Sequence, residues 1–431
     1  MLPMIQTPAQ GFETYAAAPW AATSETGTRR LSRSPTALLA GRTILQIIPD
    51  LDAGGAERTT IDVAAALVDA GARALVACRR GRLVSELQAK GGLWIEFPAA
   101  AKNPVTMALN VGKLARLIRA ESVDIVHARS RAPAWVALGA TRMTRTPFVT
   151  TYHGSYSGES PVKIFYNSVM ARGDAVIANS EFTASQIVLK HAFAGPRVRV
   201  IQRGTDMRLY APAAVAPERV QRLRDQWGVA PGAPIVLLAA RLTGWKGQRV
   251  LIDAARLLVE RGFTDTRFIL AGDPQGREAY RAELEQRIAA AGLTGIVRIV
   301  GHCDDMPAAL LAATVVAVPS TEPEAFGRVA VEAQAMGTPV VVSDLGAVAE
   351  TVLTPPRVEP GARTGWRAPA GDAAALAVML EQALSLGASA REALASRARA
   401  HVETRFSLEL MCAETLDVYA ALLETRPPVR P

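Results

Sequence analysis

The chain has 431 residues, which is enough for two domains that each bury a core of their own. It carries 48 lysines and arginines against 40 aspartates and glutamates, so its surface favours anionic partners such as nucleic acid, anionic lipid or phosphorylated substrates. The three cysteines have neither the spacing of a disulfide framework nor that of a zinc site, which indicates a reducing compartment. The sequence also lacks an apolar run long enough to predict a transmembrane helix.

Residues 1–40 mix Pro, Thr, Ser and Ala without periodicity, so they are predicted to form a disordered tail without a signal peptide. After the tail, apolar strand-like runs alternate with helical patterns, first from RTILQIIP to VRVIQ and then from PIVLLAAR to TPVVVS. This alternation predicts an α/β protein with two doubly wound parallel sheets, one in residues 41–208 and one in 233–404. Residues 209–232 are rich in Pro and Ala and are predicted to be a linker. The amphipathic stretch 405–425 predicts a final helix that docks on one of the domains.

The Gly-rich segment PDLDAGGAERT follows the first strand and opens the first long helix. Gly54 and Gly55 therefore lie where backbone N–H groups can hold a phosphate, although an ordinary strand-to-helix turn explains them equally well. Asp50 and Asp52 form an Asp-x-Asp pair that could hold a divalent metal, but no further acids cluster there and helix-entry chemistry is the preferred interpretation.

Polar residues also end later strands of the first series. His153 closes PFVTTYHG at the edge where ligands bind in open α/β sheets, and the alternative is a structural histidine. Asn179 and Ser180 close AVIANS and fit a helix cap or a role in the ligand cleft. Arg129 and Arg131 could face an anionic acceptor, but a solvated loop is slightly preferred for them.

The second series supplies cations and carboxylates. Arg241 and Lys246 lie in one Gly-rich loop, ARLTGWKG, where an arginine and a lysine can straddle a diphosphate. In isolation a solvated loop is preferred for them, and the segment downstream strengthens the diphosphate interpretation. In EAFGRVAVE, Gly327 permits a tight helix entry with free N–H groups, and Glu324 and Glu332 can reach separate parts of one extended ligand that carries vicinal hydroxyls.

Taken in this order, GGAER, TYHG, ANS, ARLTGWKG and EAFGRVAVEAQAMGTPVV resemble the retaining, nucleotide-sugar-dependent glycosyltransferases of family 4 over residues 43–424. The resemblance implies the GT-B fold, in which two Rossmann-like domains face each other across a cleft. It implies that Arg241 and Lys246 hold the donor diphosphate, that Glu332 binds the ribose and that Glu324 binds the transferred sugar.

The resemblance further implies that Phe326 and Gly327 present backbone amides to that sugar and that His153 lines the sugar site. Gly54 and Gly55 would approach the donor phosphates or the acceptor from the other domain. No metal and no cofactor are expected, and the last helix is expected to cross back onto the first domain.

One position departs from the family pattern. Relatives often have Asn-Gly-x-Asp before the linker, whereas this chain has QRGTD, with Arg203 in place of Asn. Interdomain or sugar contacts at this position are therefore left open.

The expected activity is transfer of a hexose to a glycan or glycolipid with retention, in lipopolysaccharide, O-antigen or exopolysaccharide biosynthesis. A cytoplasmic location is expected, and the basic region 113–145 suits peripheral contact with the inner membrane as well as it suits a solvated face. Two alternatives are a sugar-nucleotide epimerase of the same fold and a basic nucleic-acid-binding protein. The second is disfavoured because RNP, zinc and helix-turn-helix signatures are all missing.

Overall fold

The computed structural model describes residues 34–52, 54–154, 156 and 160–425. Most of the predicted tail, residues 1–33, lies outside the described residues. The prediction of a tail up to residue 40 is wrong at its end, because Pro35–Leu39 form a short helix, α1, and Leu39 is fully buried.

The first sheet has seven parallel strands in the order β3-β2-β1-β4-β5-β6-β7. The strands are β1 (Thr43–Asp50), β2 (Arg73–Arg79), β3 (Leu93–Glu96), β4 (Ile125–Ala128), β5 (Phe148–Tyr152), β6 (Ala175–Ala178) and β7 (Val198–Val200). The helices between them are α2 (Gly55–Asp69), α3 (Val84–Ala89), α4 (Pro104–Ala120), α5 (Arg131–Thr144), α6 (Pro161–Asn167) and α7 (Glu181–Lys190). The central strands are buried along almost their whole length because helices cover both faces of the sheet.

Several of the helices that cover this sheet begin at residues whose side chains cap them. Asn103 precedes α4 and its side chain accepts hydrogen bonds from the N–H groups of Val105 and Thr106, with Pro104 at the first helical position. Ser180 caps α7 in the same manner through the N–H of Thr183. The strand-to-helix connections therefore stop each strand at a defined residue and fix the side chains that follow it.

The second sheet has six parallel strands in the order β10-β9-β8-β11-β12-β13. Its strands are β8 (Ile235–Ala239), β9 (Arg267–Ala271), β10 (Val297–Gly301), β11 (Val315–Val318), β12 (Val340–Ser343) and β13 (Trp366–Ala368). Its helices are α8 (Pro217–Gln226), α9 (Gln248–Glu260), α10 (Glu278–Ala290), α11 (Met306–Ala312), α12 (Arg328–Ala335), α13 (Val348–Thr351), α14 (Ala373–Leu384) and α15 (Ala388–Arg405). The strand order is that of a doubly wound dinucleotide-binding sheet, so the predicted α/β fold with two such units is confirmed.

The predicted linker 209–232 is not a free connector. It contains α8, and Tyr210, Leu223 and Trp227 are buried in the apolar core between the second sheet and α11 and α12. Its Pro and Ala content therefore reflects a short helix with irregular flanks that pack on the C-terminal domain. We define the C-terminal domain as α8 to α15 together with β8 to β13.

The chain returns to the first domain at its end. Phe406 still packs in the core of the C-terminal domain, whereas α16 (Leu408–Thr425) packs on α1 and α2 and contributes Tyr419 to the core of the first sheet. At the crossing, Thr205 donates its N–H to Phe406 O (2.8 Å) and accepts from the N–H of Leu408 (3.0 Å). The N-terminal domain therefore consists of α1 to α7 with β1 to β7, together with α16.

None of the described helices is by itself long and apolar enough to cross a membrane. The consecutive helices α14 and α15 reach the necessary length and composition only together, and they are bent by 107° at the break between them.

Candidate functional site

A cleft of about 840 Å³ lies between the two domains, at the carboxyl ends of both sheets. Residues that follow β5, β6 and β7 line one wall, and residues that follow β8 and β11 line the other, together with the start of α12. Open α/β sheets bind ligands at this edge because the loops there carry side chains and free helix N-termini. The cleft brings together His153, Arg241, Lys246, Glu324, Phe326 and Gly327 from the sequence prediction.

His153 is neutral, and one of its ring nitrogens is available to donate a hydrogen bond. Its Nδ1 lies 3.1 Å from Nη2 of Arg203, and a guanidinium can only donate, so Nδ1 accepts and the ring proton is on Nε2. Burial lowers the pKa of His153 well below its usual range, and the positive charges of Arg203 and Arg129 lower it further. Its Nε2 has no partner among the described residues. The imidazole therefore presents an N–H donor, not a positive charge.

The lysine and the first carboxylate of the C-terminal wall form a pair. Lys246 Nζ lies 2.7 Å from Glu324 Oε1, and the same oxygen accepts from Ser320 Oγ at 2.6 Å. Both charged side chains are largely buried, at 16% and 11% exposure, so each needs the other when no ligand is present. The sequence predicted both residues but not their contact. Arg241 lies in the same loop, and its carbonyl accepts from Gln248 Nε2 (2.9 Å).

The helix entry after Glu324 has the predicted form. Gly327 has a φ of 84°, in the left-handed region that favours glycine, and it precedes α12 without a side-chain cap. Phe326 is buried and its ring packs edge-on against Phe406, with 5.7 Å between the centroids. The loop is thus anchored by an aromatic side chain while its backbone lines the cleft.

Glu332 lies one turn farther along α12 and is almost fully buried. Arg328, which lines the cleft, donates to its Oε1 at 2.8 Å, and the Tyr210 hydroxyl also contacts the carboxylate. Burial raises the pKa of Glu332, whereas the charge of Arg328 acts in the opposite direction. Glu332 is not among the residues that line the cleft, so Arg328 is the part of this pair that a ligand meets first.

Gly54 and Gly55 start α2 beside the cleft without lining it. Gly55 lies against Arg203: a Cβ there would be 2.5 Å from Nη1, so a larger residue would require the guanidinium to shift. The aspartates of the Asp-x-Asp pair form separate ion pairs, Asp50 with Arg79 (3.2 Å) and Asp52 with Arg82 (3.1 Å).

Among the described residues, no three metal-ligating side chains of the His, Cys, Asp or Glu type are grouped.

The two arginines after β4 do not form the solvated loop that the sequence favoured. Arg129 is 3% exposed and donates from Nε to Gln46 Oε1 at 2.7 Å. Arg131 donates to Asn167 Oδ1 at 2.9 Å, and its guanidinium lies over the ring of Tyr156. The preferred interpretation was wrong because the partners of both arginines come from distant parts of the chain.

Beneath the cleft, Arg129 belongs to a buried polar layer. His127 Nδ1 lies 2.6 Å from the Tyr419 hydroxyl of α16, and its Nε2 lies 2.7 Å from Thr151 Oγ1. Burial lowers the pKa of His127 well below its usual range. This layer connects the last helix of the chain to the strands that carry the cleft.

Side chains of the two domains meet at the loop between β11 and α12 and at α13. Ser180 Oγ donates to the carbonyl of Ala325 at 2.8 Å. Glu350 of α13 reaches across to the first turn of α7, where its two oxygens accept from the N–H groups of Glu181 (2.9 Å) and Phe182 (2.6 Å). The sequence suggested a cap or a cleft role for Ser180, and its hydroxyl caps α7 while contacting the opposite domain. Glu350 gave no signal in the sequence.

Comparison with known proteins agrees with this geometry. The family model "Glycosyltransferase Family 4" matches residues 53–209, and "Glycosyl transferases group 1" matches residues 220–401. A D-inositol 3-phosphate glycosyltransferase of Jonesia denitrificans is 31% identical over 257 residues, which span 58% of each chain. The chain thus aligns with little more than half the length of this curated relative.

Solved structures match over more of the chain. A glycosyltransferase from Rickettsia africae has a TM-score of 0.80 and 33% identity, covering 89% of this chain and 99% of the other. Anabaena Alr3699/HepE, solved in complex with UDP and glucose, has a TM-score of 0.75 and 28% identity, covering 88% of this chain and 100% of the other. The resemblance drawn from the motifs is confirmed, and the chain belongs to the family 4 glycosyltransferases with the GT-B fold.

Proposed function

We propose that the protein is a retaining glycosyltransferase that moves a hexose from a nucleotide-diphosphate sugar to a glycan or glycolipid acceptor. The observation that carries the proposal is the arrangement of the cleft, in which Arg241, Lys246 and Glu324 on one wall face His153 on the other. UDP is the first donor nucleotide to test, because the similar Anabaena protein was solved in complex with UDP.

The residues have separate roles in this proposal. When the sugar leaves, negative charge develops on the diphosphate, and Arg241 and Lys246 stabilise that charge more than they stabilise the ground state. Lys246 then exchanges its contact with Glu324 for the phosphate, which frees the carboxylate to accept from a hydroxyl of the transferred sugar. The Nε2–H of His153 donates to the sugar from the opposite wall.

Retention follows from the same arrangement. In this complex the carboxylate of Glu324 accepts from Ser320 and from a hydroxyl of the transferred sugar, so we assign it to binding the sugar and not to attack on the anomeric carbon. We infer that the acceptor approaches on the face from which the diphosphate departs and gives its proton to the departing phosphate oxygen. The phosphate charge is met by side chains without a metal, so transfer should survive EDTA. Loss of activity in EDTA that a divalent cation restores would contradict this part of the proposal.

The exposed surface of the N-terminal domain suits a membrane-bound acceptor. Val105 and Leu109 on α4 are 69% and 64% exposed, and Val162 and Phe165 on α6 are 78% and 61% exposed. The exposed cations of the basic region 113–145 lie on α4 and at the end of α5 in the same domain, and they are Lys113, Arg116, Arg119, Arg142 and Arg145. Arg129 of this region is buried. We infer peripheral contact with the cytoplasmic face of an anionic membrane, with the glycan or glycolipid acceptor of envelope polysaccharide assembly bound from this side. Sedimentation with phosphatidylglycerol vesicles should require these side chains, and Leu109→Asp with Phe165→Asp should reduce it.

The decisive experiment is a thermal-shift screen against UDP-, GDP- and ADP-sugars, followed by product analysis. A ligand present at a hundred times its Kd stabilises the native state by about 2.7 kcal/mol, which is well above the detection limit. A shift with one nucleotide sugar and with its free diphosphate supports the proposal. Conversion of the sugar nucleotide without an acceptor would favour an epimerase. Salt-dependent DNA binding without any nucleotide-sugar shift would favour a nucleic-acid-binding protein.

A further inference from the structure

The N-terminal wall of the cleft carries three polar side chains whose buried atoms have no hydrogen-bond partner among the described residues. These atoms are Nε2 of His153, both amide atoms of Asn179 and Nε of Arg203. The three residues follow β5, β6 and β7, which are neighbours in the sheet, so they lie along one edge. Buried polar atoms are normally paired, so this edge offers several hydrogen-bonding atoms to a polar ligand.

Arg203 determines the charge of that ligand. Its only side-chain hydrogen bond among the described residues is to the neutral ring of His153, and no carboxylate there lies within ion-pair distance of it. Burial lowers the pKa of Arg203 to about 10 and the charges of Arg328 and Arg129 contribute to this decrease, whereas the charges of Glu57 and Glu332 oppose it, so the guanidinium remains protonated at neutral pH. A half-buried cation next to two other cations favours an anion in direct contact with it, and an anionic group of a substrate would supply that contact.

The first turn of α2 lies directly beside the guanidinium. Arg203 Nη1 approaches the backbone at Gly55, where α2 begins, and the N-cap residue Gly54 provides no side-chain cap. The carboxylate of Glu57 instead folds back over this turn, where a Cβ on Gly54 would overlap with it. Burial raises the pKa of Glu57, while the N–H groups of Glu57 and Ala56 lower it by hydrogen bonding. A carboxylate from the protein thus occupies the position that favours an anion at a helix N-terminus.

We propose that Arg203 and the first turn of α2 bind a phosphate group of a substrate, and that Glu57 occupies this phosphate position while the cleft is empty. Asn179 and His153 hold neighbouring polar atoms of the same molecule. The proposal rests on the proposed function, whose donor supplies one source of the phosphate, its diphosphate; an acceptor that carries a phosphate group would be the other source.

Because Arg203 attracts the phosphate and Glu57 competes with it, variants at these two residues should change the affinity for phosphate in opposite directions. Arg203→Gln removes the cation and should weaken phosphate binding by about ten- to a hundredfold, as expected for the loss of charge-assisted hydrogen bonds. Glu57→Gln removes the competing charge and should strengthen binding a few fold. Arg203→Lys keeps the charge and should recover part of the affinity. Arg208→Gln changes an exposed arginine of the same segment and serves as the matched control.

Calorimetry with UDP, UMP and uridine, and with inorganic phosphate added to UDP-saturated protein, tests the proposal. If Arg203→Gln weakens UDP but not UMP or uridine, the site holds the terminal phosphate of the donor. If UDP binding is unchanged but phosphate no longer binds to the UDP-saturated protein, the site holds a phosphate of the acceptor. Unchanged binding in both titrations overturns the proposal, and a Glu57→Gln variant that binds no more tightly than the wild type overturns the role of Glu57.

The controls separate this inference from the proposed function. If the wild-type protein binds no nucleoside diphosphate at all, the proposed function fails. If the wild type binds UDP and the variants at Arg203 and Glu57 behave like the wild type, only this inference fails. A thermal melt of each variant without ligand shows whether it is folded, and the opposite signs expected for the two variants cannot arise from a general loss of structure.

Discussion

Replacing Glu350 by glutamine should loosen the contact between the two domains and weaken donor binding. In the structure the carboxylate accepts two backbone hydrogen bonds at the N-terminus of α7, from the N–H groups of Glu181 and Phe182. The N–H of Ala347, just before α13, donates to the carbonyl of Glu324, so the helix that carries Glu350 is hydrogen-bonded to the loop between β11 and α12. Closing the domains and positioning this loop should therefore be coupled.

The magnitude follows from the contacts. A hydrogen bond to a charged group contributes about 1.5–3 kcal/mol to a folded contact. Glutamine can accept from only one of the two N–H groups and would turn its amide N–H₂ towards the other. Burial raises the pKa of Glu350, which shows that desolvation of the carboxylate offsets part of the gain. We expect a net loss of about 1.5–3 kcal/mol from the closed state, which is roughly a ten- to hundredfold shift in the equilibrium between closed and open forms.

Two measurements report on this shift. Small-angle X-ray scattering of the ligand-free variant should show a larger radius of gyration, and calorimetry should show weaker UDP binding by up to the same factor. Glu359→Gln alters an exposed glutamate of the same domain and should change neither quantity. An unchanged scattering curve together with UDP affinity within twofold of the wild type would refute the assignment of Glu350 to domain closure.

Three further expectations concern the carboxylates, the buried histidine and the cysteines. Glu332→Gln should raise KM for the donor about ten- to a hundredfold with little change in kcat, because Glu332 holds Arg328, which lines the cleft, through an ion pair. Glu324→Gln should lower kcat and leave binding of free UDP intact, because Lys246 stays available to the phosphate. Equal UDP affinities of the two variants would contradict this division of roles. Below about pH 6.5 the unfolded chain takes up a proton at His127 that the folded protein does not. The free energy of unfolding should therefore fall on acidification by up to about 1.4 kcal/mol per pH unit. Urea titrations at pH 7.5 and 5.5 should show a smaller fall for His127→Gln than for the wild type. Maleimide at neutral pH should label Cys303 first, because the other two cysteines are buried with pKa values raised to about 12; mass spectrometry that finds either of them modified first would contradict this.

The sequence predicts the two sheets well because each strand is a short apolar run between helical patterns. The carboxyl ends of such strands define the cleft, so the sequence predicts that His153, Arg241 and Glu324, which follow strands, lie near this edge, and all three line the cleft. Contacts between side chains distant in sequence could not be predicted. No residue near Lys246 in the sequence indicates its contact with Glu324, because this contact depends on how two loops approach each other after the sheet has formed.

The errors have the same physical origin. Leu39 lies in a segment without periodicity, and its burial depends on α16 at the opposite end of the chain. Arg129 reads as a surface residue because its acceptor, Gln46, comes from another strand. A local pattern contains no information about such partners, so burial of single polar or isolated apolar residues was predicted less well than the strands themselves.

The crossing of the chain at Thr205 and Phe406 has a consequence for biosynthesis. In space, the C-terminal domain is an insertion into the N-terminal domain, since α16 completes a unit whose other parts precede Thr205. During translation, the first sheet emerges early but lacks Tyr419 as a partner for His127 until the last helix has left the ribosome. The N-terminal domain is therefore synthesised first but completes its folding last, because its buried polar layer forms only after the entire C-terminal domain and α16 have been synthesised.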